Sequence, residues 1–182
     1  MNSARLAYDL DSYEGLGYSA DCDIGEMDSL VLVVDYQRAY LEVSLAYATD
    51  PINMIEESYR YDGFGGQGES SPTSSELSTL EAKVKEMLAK QMKKNRPLKS
   101  NFNDVRAVVF SGEATKDGFE KVKHTLEGAL PGLKNRFRFS LDPFWVGAIG
   151  ATQRGRHVAL NPKSLQPPDC HYVDEDGYQK EL

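Results

Sequence analysis

The feature that most constrains the fold is an unbroken apolar run, Leu30 to Val34, followed closely by an alternating stretch. A short run without polar residues is typical of a strand that is buried on both faces. From Tyr40 to Tyr47, apolar and polar side chains alternate with the period of two of a half-buried strand. A weaker strand, Ile52 to Tyr61, comes after a turn at Asp50-Pro51. The short connections predict an antiparallel meander.

Helical patterns and strands alternate in the second half of the chain. Thr73 with Glu76, or Ser78 with Glu81, has the spacing of a capping box and predicts a helix start. The apolar residues that follow recur on one helical face, and these are Leu77, Leu80, Val84, Met87 and Leu88.

Two further strand–helix pairs complete the pattern. A buried-type strand, Ala107 to Phe110, precedes a helix that begins near Lys116. A short strand, Arg136 to Ser140, precedes a helix that starts at Asp142-Pro143, an N-cap acceptor followed by proline. The order βββαβαβα predicts an α/β fold with a mixed five-stranded sheet and flanking helices, which is the order of the ribonuclease-H-like fold.

The composition limits domain organisation and partners. We expect an N-terminal helix and acidic loop in residues 1–29, one globular lobe in 30–158 with a flexible insertion at about 62–75, and a polar tail in 159–182. The net charge of −7 disfavours nucleic acid and anionic membranes as partners. With two cysteines and no signal peptide or long apolar run, we expect a cytoplasmic protein.

The connection between the first two predicted strands carries the most informative motif. Residues Asp35 to Leu45 read D-Y-Q-R-A-Y-L-E-V-S-L. This run resembles, without a gap, the phosphate hairpin D-L-G-G-G-T-F-D-V-S-L of the seventy-kilodalton heat-shock chaperones (DnaK-like). The hairpin belongs to the second lobe of their actin-like ATPase domain.

Four other stretches are similar to segments of that lobe, and they occur in the same order. Ala4 to Asp11 is similar to the preceding helix, A-A-A-L-A-Y-G-L-D, and Gly63 to Gly66 to the H-L-G-G that follows the third strand. Val108 to Thr115 is similar to the adenosine motif V-L-V-G-G-S-T, and Asp142 to Ala151 to a helix that begins D-E-A-V-A-Y-G-A-A. The resemblance covers roughly residues 3 to 155.

The resemblance implies a site for ATP and Mg²⁺. The positions that match the nucleotide-binding motifs are Asp35, Gln37, Arg38, Ala39, Ser111, Gly112 and Glu113, and those that match the magnesium-positioning acids are Asp35 and Glu42. Gln37, Arg38 and Ala39 replace the glycines that let backbone amides approach the phosphates. Arg38 is either a substitute phosphate donor or a solvated arginine at the hairpin tip.

The resemblance also implies parts that this sequence does not contain. The first lobe of the family would precede Met1, and the connection from Tyr61 to Arg106 is too short for the helical subdomain that closes over adenine. We therefore expect a degenerate ATP-binding lobe that does not hydrolyse ATP alone, with a first lobe or another protein as partner. The alternatives are a non-catalytic interaction module and, third, a nuclease of the same fold with Asp104 or Asp142 as an additional carboxylate.

Overall fold

In the computed structural model, a mixed five-stranded sheet carries helices on both faces. The structure describes residues 2–10, 12, 15–17, 29–48, 55–64, 71–94, 105–160, 172–173 and 179–180. Most of the predicted acidic loop, residues 65–70 of the predicted flexible insertion, and most of the predicted tail lie outside these residues. The elements are α1 (Asn2–Ala7), β1 (Leu30–Tyr36), β2 (Tyr40–Tyr47), β3 (Ile55–Asp62), α2 (Ser74–Lys94), β4 (Val105–Ser111), α3 (Lys116–Ala129), a 3-10 helix (Pro131–Arg136), β5 (Phe137–Arg138), α4 (Pro143–Leu160), β6 (Tyr172–Val173) and β7 (Gln179–Lys180).

The sheet has the spatial order β3-β2-β1-β4-β5, and β6 pairs separately with β7. β1 pairs antiparallel with β2 and parallel with β4, whereas β2 pairs antiparallel with β3 and β4 parallel with β5. The predicted α/β architecture with a mixed five-stranded sheet is therefore confirmed. Two parallel crossovers require helices, and α2 and α3 supply them because they connect β3 to β4 and β4 to β5.

Each face of the sheet has its own hydrophobic core, as the unbroken apolar run in β1 predicts. Leu32 and Val34 pack in a cluster that includes Leu80 of α2 and Leu126 of α3. On the other face, Val31 and Val33 belong to a second cluster, with Ala4, Leu10, Val109 and Val146. A strand that is apolar on both faces is stable only between two helical layers, because a face left in water would expose branched apolar side chains.

The fifth strand is shorter than the pattern predicts. The expected strand Arg136 to Ser140 is reduced to Phe137–Arg138, and Arg136 ends the preceding 3-10 helix. The Arg136 guanidinium donates to the backbone carbonyl of Val105, a contact that accompanies the later start of the strand. Phe139 lies outside the strand but still packs on Phe110, with ring centroids 4.5 Å apart.

Helix α4 packs closely at one end and is exposed over most of its length. A Cβ atom added to Gly150 would lie 1.7 Å from the carbonyl oxygen of Ser3, so glycine permits the close contact with α1. Val146 and Gly150 are the buried residues of this helix. Among the residues that the structure describes, no helix is both long enough and apolar enough to span a bilayer.

Candidate functional site

The candidate site lies where β1 ends and the chain turns into β2. Asp35, near the end of β1, is paired with Glu42 of β2 and with Ser111 at the end of β4. Residues paired in this way project from the same face of a sheet. β1 has an antiparallel neighbour on one side and a parallel neighbour on the other, so its carboxyl end lies at a change of strand direction. Open α/β sheets bind ligands beyond the carboxyl ends of their strands, at such switch points.

A cavity of about 510 Å³ opens at this place. Of the eight residues that the sequence assigns to nucleotide or metal binding, six line it: Asp35, Gln37, Glu42, Ser111, Gly112 and Glu113. Arg38 and Ala39 are exposed at the hairpin tip and do not line it. The structure thus brings two separated motifs together around one space.

Three side chains donate hydrogen bonds to the Asp35 carboxylate. The Gln37 side-chain amide and the Ser111 hydroxyl both donate to Oδ1, at 2.6 Å and 3.2 Å. The Tyr40 hydroxyl donates to Oδ2 at 3.2 Å. A carboxylate accepts about four hydrogen bonds, so most of the acceptor capacity of Asp35 is already used within the protein.

Tyr40 is held in a setting that keeps its hydroxyl protonated. Desolvation raises the pKa of Tyr40, and the negative charge of Asp35 raises it further. The Arg60 guanidinium lies 3.8 Å from the centroid of the Tyr40 ring, a cation–π contact. The Tyr40 hydroxyl is therefore a donor to Asp35.

Arg38 forms an ion pair across the mouth of the hairpin. Its Nε lies 3.3 Å from Glu113 Oε2, and the two side chains are 69% and 51% exposed. Such an exposed pair contributes at most about 1 kcal/mol to stability, so Glu113 does not hold Arg38 firmly. Arg38 is thus a solvated tip residue with a carboxylate partner.

Gly112 is required by the backbone around it. Its φ is +128°, and an added Cβ would lie 2.1 Å from the carbonyl oxygen of Tyr36. Its amide donates to the Pro143 carbonyl oxygen at 3.2 Å, which ties the end of β4 to the start of α4. Glycine at this position has a structural function whatever the cavity binds.

The carboxylates of the cavity suit magnesium only in part. Mg²⁺ takes one or two protein carboxylates and keeps waters, so Asp35 and Glu42 are sufficient in donor type. Because Asp35 already accepts three hydrogen bonds, Glu42 is the carboxylate of the pair with open acceptor capacity. Among the residues that the structure describes, no group of three histidine, cysteine or acidic side chains is placed to hold a metal ion.

Of the two additional carboxylates that the nuclease alternative names, only Asp142 belongs to the described residues, and it does not line the cavity. The Asp142 carboxylate accepts a hydrogen bond from the Phe144 amide at 3.0 Å and so caps the first turn of α4. Asp104 lies outside the described residues.

Sequence reasoning missed part of the cavity lining. The additional residues are Ser44, which the hairpin motif contains but which was not assigned to the site, and seven residues outside the two motifs: Ser3, Ala4, Val33, Ile55, Pro143, Phe144 and Gly147. Phe144 and its neighbour Trp145 are 51% and 56% exposed. No local sequence signal separates these two aromatic residues from core residues, since adjacent apolar residues of a helix can both be buried, as Met87 and Leu88 of α2 are.

Comparison with known proteins adds no assignment. No family model matches this chain, and no curated protein matches it.

Proposed function

We propose that this chain is a degenerate second lobe of an actin-like ATPase domain of the heat-shock-chaperone type, with a ribonuclease-H-like fold. In this proposal the strand-end cavity binds a magnesium–nucleotide complex, and the chain alone does not hydrolyse ATP. The meander of β1 to β3 followed by two helical crossovers supports the fold assignment. It is the arrangement that the motif resemblance implies.

One observation carries the proposal. Residues from the hairpin motif and from the motif after β4 are distant in sequence and line the same cavity. In the heat-shock chaperones that the sequence resembles, the first motif contacts phosphate and magnesium and the second contacts adenosine. The parallel pairing of β1 with β4 places the two segments at neighbouring carboxyl ends, which is the arrangement that the resemblance implies.

The cavity determines how a nucleotide is bound in this proposal. The sugar and base lie against Ser111 and Gly112, where no side chain projects from the glycine. Glu42 and Asp35 are the residues that would hold the magnesium ion and its waters. The metal ion would offset part of the phosphate charge, which the carboxylates of Asp35, Glu42 and Glu113 otherwise repel. The affinity is therefore modest and depends on the metal.

Hydrolysis requires more than this cavity offers. Transfer of a γ-phosphoryl group needs donors and cations placed around the phosphate where charge develops. Among the described residues, no lysine or arginine lines the cavity. We therefore expect no turnover above background in a pure sample, measured as phosphate release.

Calorimetry with Mg-ATP tests the proposal. We expect submillimolar binding that disappears when EDTA removes the magnesium. Binding should weaken at least about tenfold in Glu42→Gln, because the metal loses its open carboxylate. Glu120→Gln is the matched control, since Glu120 lies on α3, outside the cavity. Absence of heat at millimolar Mg-ATP, or equal affinities of the Glu42 variant and the control, would contradict the proposal.

A second candidate is a non-catalytic interaction module, and two observations favour it. The hydrogen bonds on Asp35 occupy the carboxylate that a phosphate site would leave open. Phe144 and Trp145 are large aromatic side chains left in solvent next to the cavity. Patches of this kind on a folded domain mark contact surfaces for other molecules.

A further inference from the structure

The first turn of α4 presents two exposed aromatic rings in a fixed position. Phe144 and Trp145 lie with their rings nearly perpendicular and 4.9 Å between centroids, and we call them the α4 aromatic pair. The helix start that carries them is held by Asp142, whose carboxylate and carbonyl oxygens accept from the Phe144 and Trp145 amides at 3.0 Å each. Rigid aromatic side chains of this kind give large contact area at small entropic cost, and Trp is enriched among interface residues that dominate binding energy.

The α4 aromatic pair stands at the edge of the acidic cavity. Phe144 lines the cavity together with Ile55, which is 47% exposed, and with the carboxylates of Asp35, Glu42 and Glu113. No lysine or arginine belongs to the lining among the described residues. The surface therefore combines an apolar rim with a negatively charged interior of about 510 Å³.

The three carboxylates differ in what already binds them. Asp35 accepts from Gln37, Tyr40 and Ser111, and Glu113 is paired with Arg38. Arg60, the other arginine of the hairpin region, lies over the Tyr40 ring and binds Asp62. Among the described residues, no hydrogen bond to the Glu42 carboxylate is formed, and the nearby cation is Arg60, its partner across β2 and β3, which interacts with it electrostatically. Glu42 is half-buried, so an incoming cation at Glu42 would be only partly screened by water.

These contacts define the chemistry of an occupant. We propose that the α4 aromatic pair and Glu42 together bind a segment of a partner protein that inserts an arginine or lysine into the cavity and lays an apolar side chain on Phe144 and Trp145. Arginine suits this place best, because its planar guanidinium binds a carboxylate through two hydrogen bonds and stacks on aromatic rings. The partner is a basic segment because the charge of the cavity selects against an acidic one.

This inference does not depend on nucleotide binding. The two proposals share Glu42 but differ in the ligand and in the need for Trp145, which does not line the cavity. If Mg-ATP gives no heat and basic peptides bind, the docking proposal is supported and the nucleotide proposal is contradicted. If both bind, Mg-ATP and the peptide compete, because both occupy the cavity.

Selection from a library of short randomised peptides on the whole chain tests the inference. We expect the selected peptides to contain arginine or lysine beside an apolar residue. The chain has a single tryptophan, so Trp145 fluorescence reports directly on coverage of the pair and should shift to shorter wavelength on binding. Anisotropy of a labelled selected peptide then gives the affinity for each variant, including variants that lack the tryptophan.

Four variants separate the outcomes. Glu42→Gln and Trp145→Ala should each weaken the selected peptide at least about tenfold, the loss typical of a residue that dominates an interface. Glu120→Gln, on α3, and Leu160→Ala, an exposed apolar residue at the far end of α4, should leave the affinity unchanged. Circular dichroism verifies that all four remain folded.

Three results would overturn the inference. The first is a library that yields no binder, or binders without a basic residue. The second is an affinity that is the same for Trp145→Ala and for Leu160→Ala. The third is self-association of the chain that Trp145→Ala abolishes, because the surface would then belong to a second copy.

Discussion

At the scale of single residues, the hairpin tip is organised around Asp35. Gln37 stands where the resemblance has a glycine, and its amide binds the carboxylate at 2.6 Å. A side chain at this position fills space that a phosphate would need and uses acceptor capacity of the carboxylate that would face a metal ion. Compared with the glycine of the motif it resembles, Gln37 is therefore less favourable for a nucleotide, and its hydrogen bond to Asp35 supports the hairpin.

Gly112 provides the clearest stability prediction at this scale. Gly112→Ala should lower the free energy of unfolding by about 3 kcal/mol, because the new Cβ meets the Tyr36 carbonyl oxygen and the residue must keep a positive φ. Urea denaturation followed by circular dichroism measures the change.

The matched control is Gly155→Ala in the middle of α4, where an added Cβ meets nothing within 4 Å. This variant should be as stable as the parent or up to about 1 kcal/mol more stable, because alanine favours helix. Similar unfolding free energies for the two variants would show that the end of β4 is not packed as described.

At the scale of elements, helix α2 begins with a reciprocal capping box. The Thr73 amide donates to the Glu76 carboxylate at 2.7 Å, and the Glu76 amide donates to the Thr73 hydroxyl at 3.3 Å. The second capping box that the sequence offers does not form, because the Ser78 hydroxyl donates to the Ser74 carbonyl oxygen inside the helix. The helix therefore begins with the Thr73–Glu76 capping box, which the sequence alone did not distinguish from the Ser78–Glu81 spacing.

Thr73→Ala should therefore destabilise the protein by about 1 kcal/mol, since the Glu76 amide loses the hydroxyl oxygen that accepts its hydrogen bond. Ser78→Ala should change the unfolding free energy by less than about 0.5 kcal/mol, because its hydroxyl competes with the helix rather than capping it. Thermal and urea unfolding of both variants give the comparison. A larger loss for Ser78→Ala would place the start of α2 one turn later.

The sequence predicts the limits of some elements well. β2 has the predicted limits, Tyr40 to Tyr47, and α3 begins at the predicted Lys116. The prediction that β2 is half-buried is wrong for its second half, because Ser44 and Ala46 on the expected polar face are buried. β5 starts one residue later than predicted, where the Arg136 side chain binds a carbonyl of a strand that is distant in sequence. No local pattern reports such a contact.

The candidate site was likewise predicted only in part. The two motifs identified residues that line one cavity, since strand pairing brings their positions together. The contributions of Ile55 and Phe144 were not predicted, because they depend on how β3 and α4 approach the hairpin in three dimensions. The hydrogen bonds that occupy Asp35 likewise depend on rotamers that a sequence does not contain.

At the scale of the whole molecule, the protein is an acidic chain with an acidic cavity. The net charge of −7 and the carboxylates of the cavity act together, so a cationic side chain is attracted and a free triphosphate is repelled. Mg-ATP keeps a net negative charge, so the nucleotide proposal requires the metal ion to offset this repulsion, whereas the docking proposal uses the charge directly. The nucleotide proposal further requires that bound Mg-ATP contact the ends of β1 and β4.

Amide chemical shifts during titration with Mg-ATP test this central claim most directly. We expect concentration-dependent shifts in two segments, Asp35 to Glu42 and Ser111 to Glu113, with smaller or no shifts for Mg²⁺ or EDTA-treated ATP alone. Lys83 and Lys90 on α2 are the internal reference, because a nucleotide that binds only by charge would move amides near exposed lysines. Shifts confined to α2, or no shifts at millimolar Mg-ATP, would contradict the assignment of the strand-end cavity to a nucleotide.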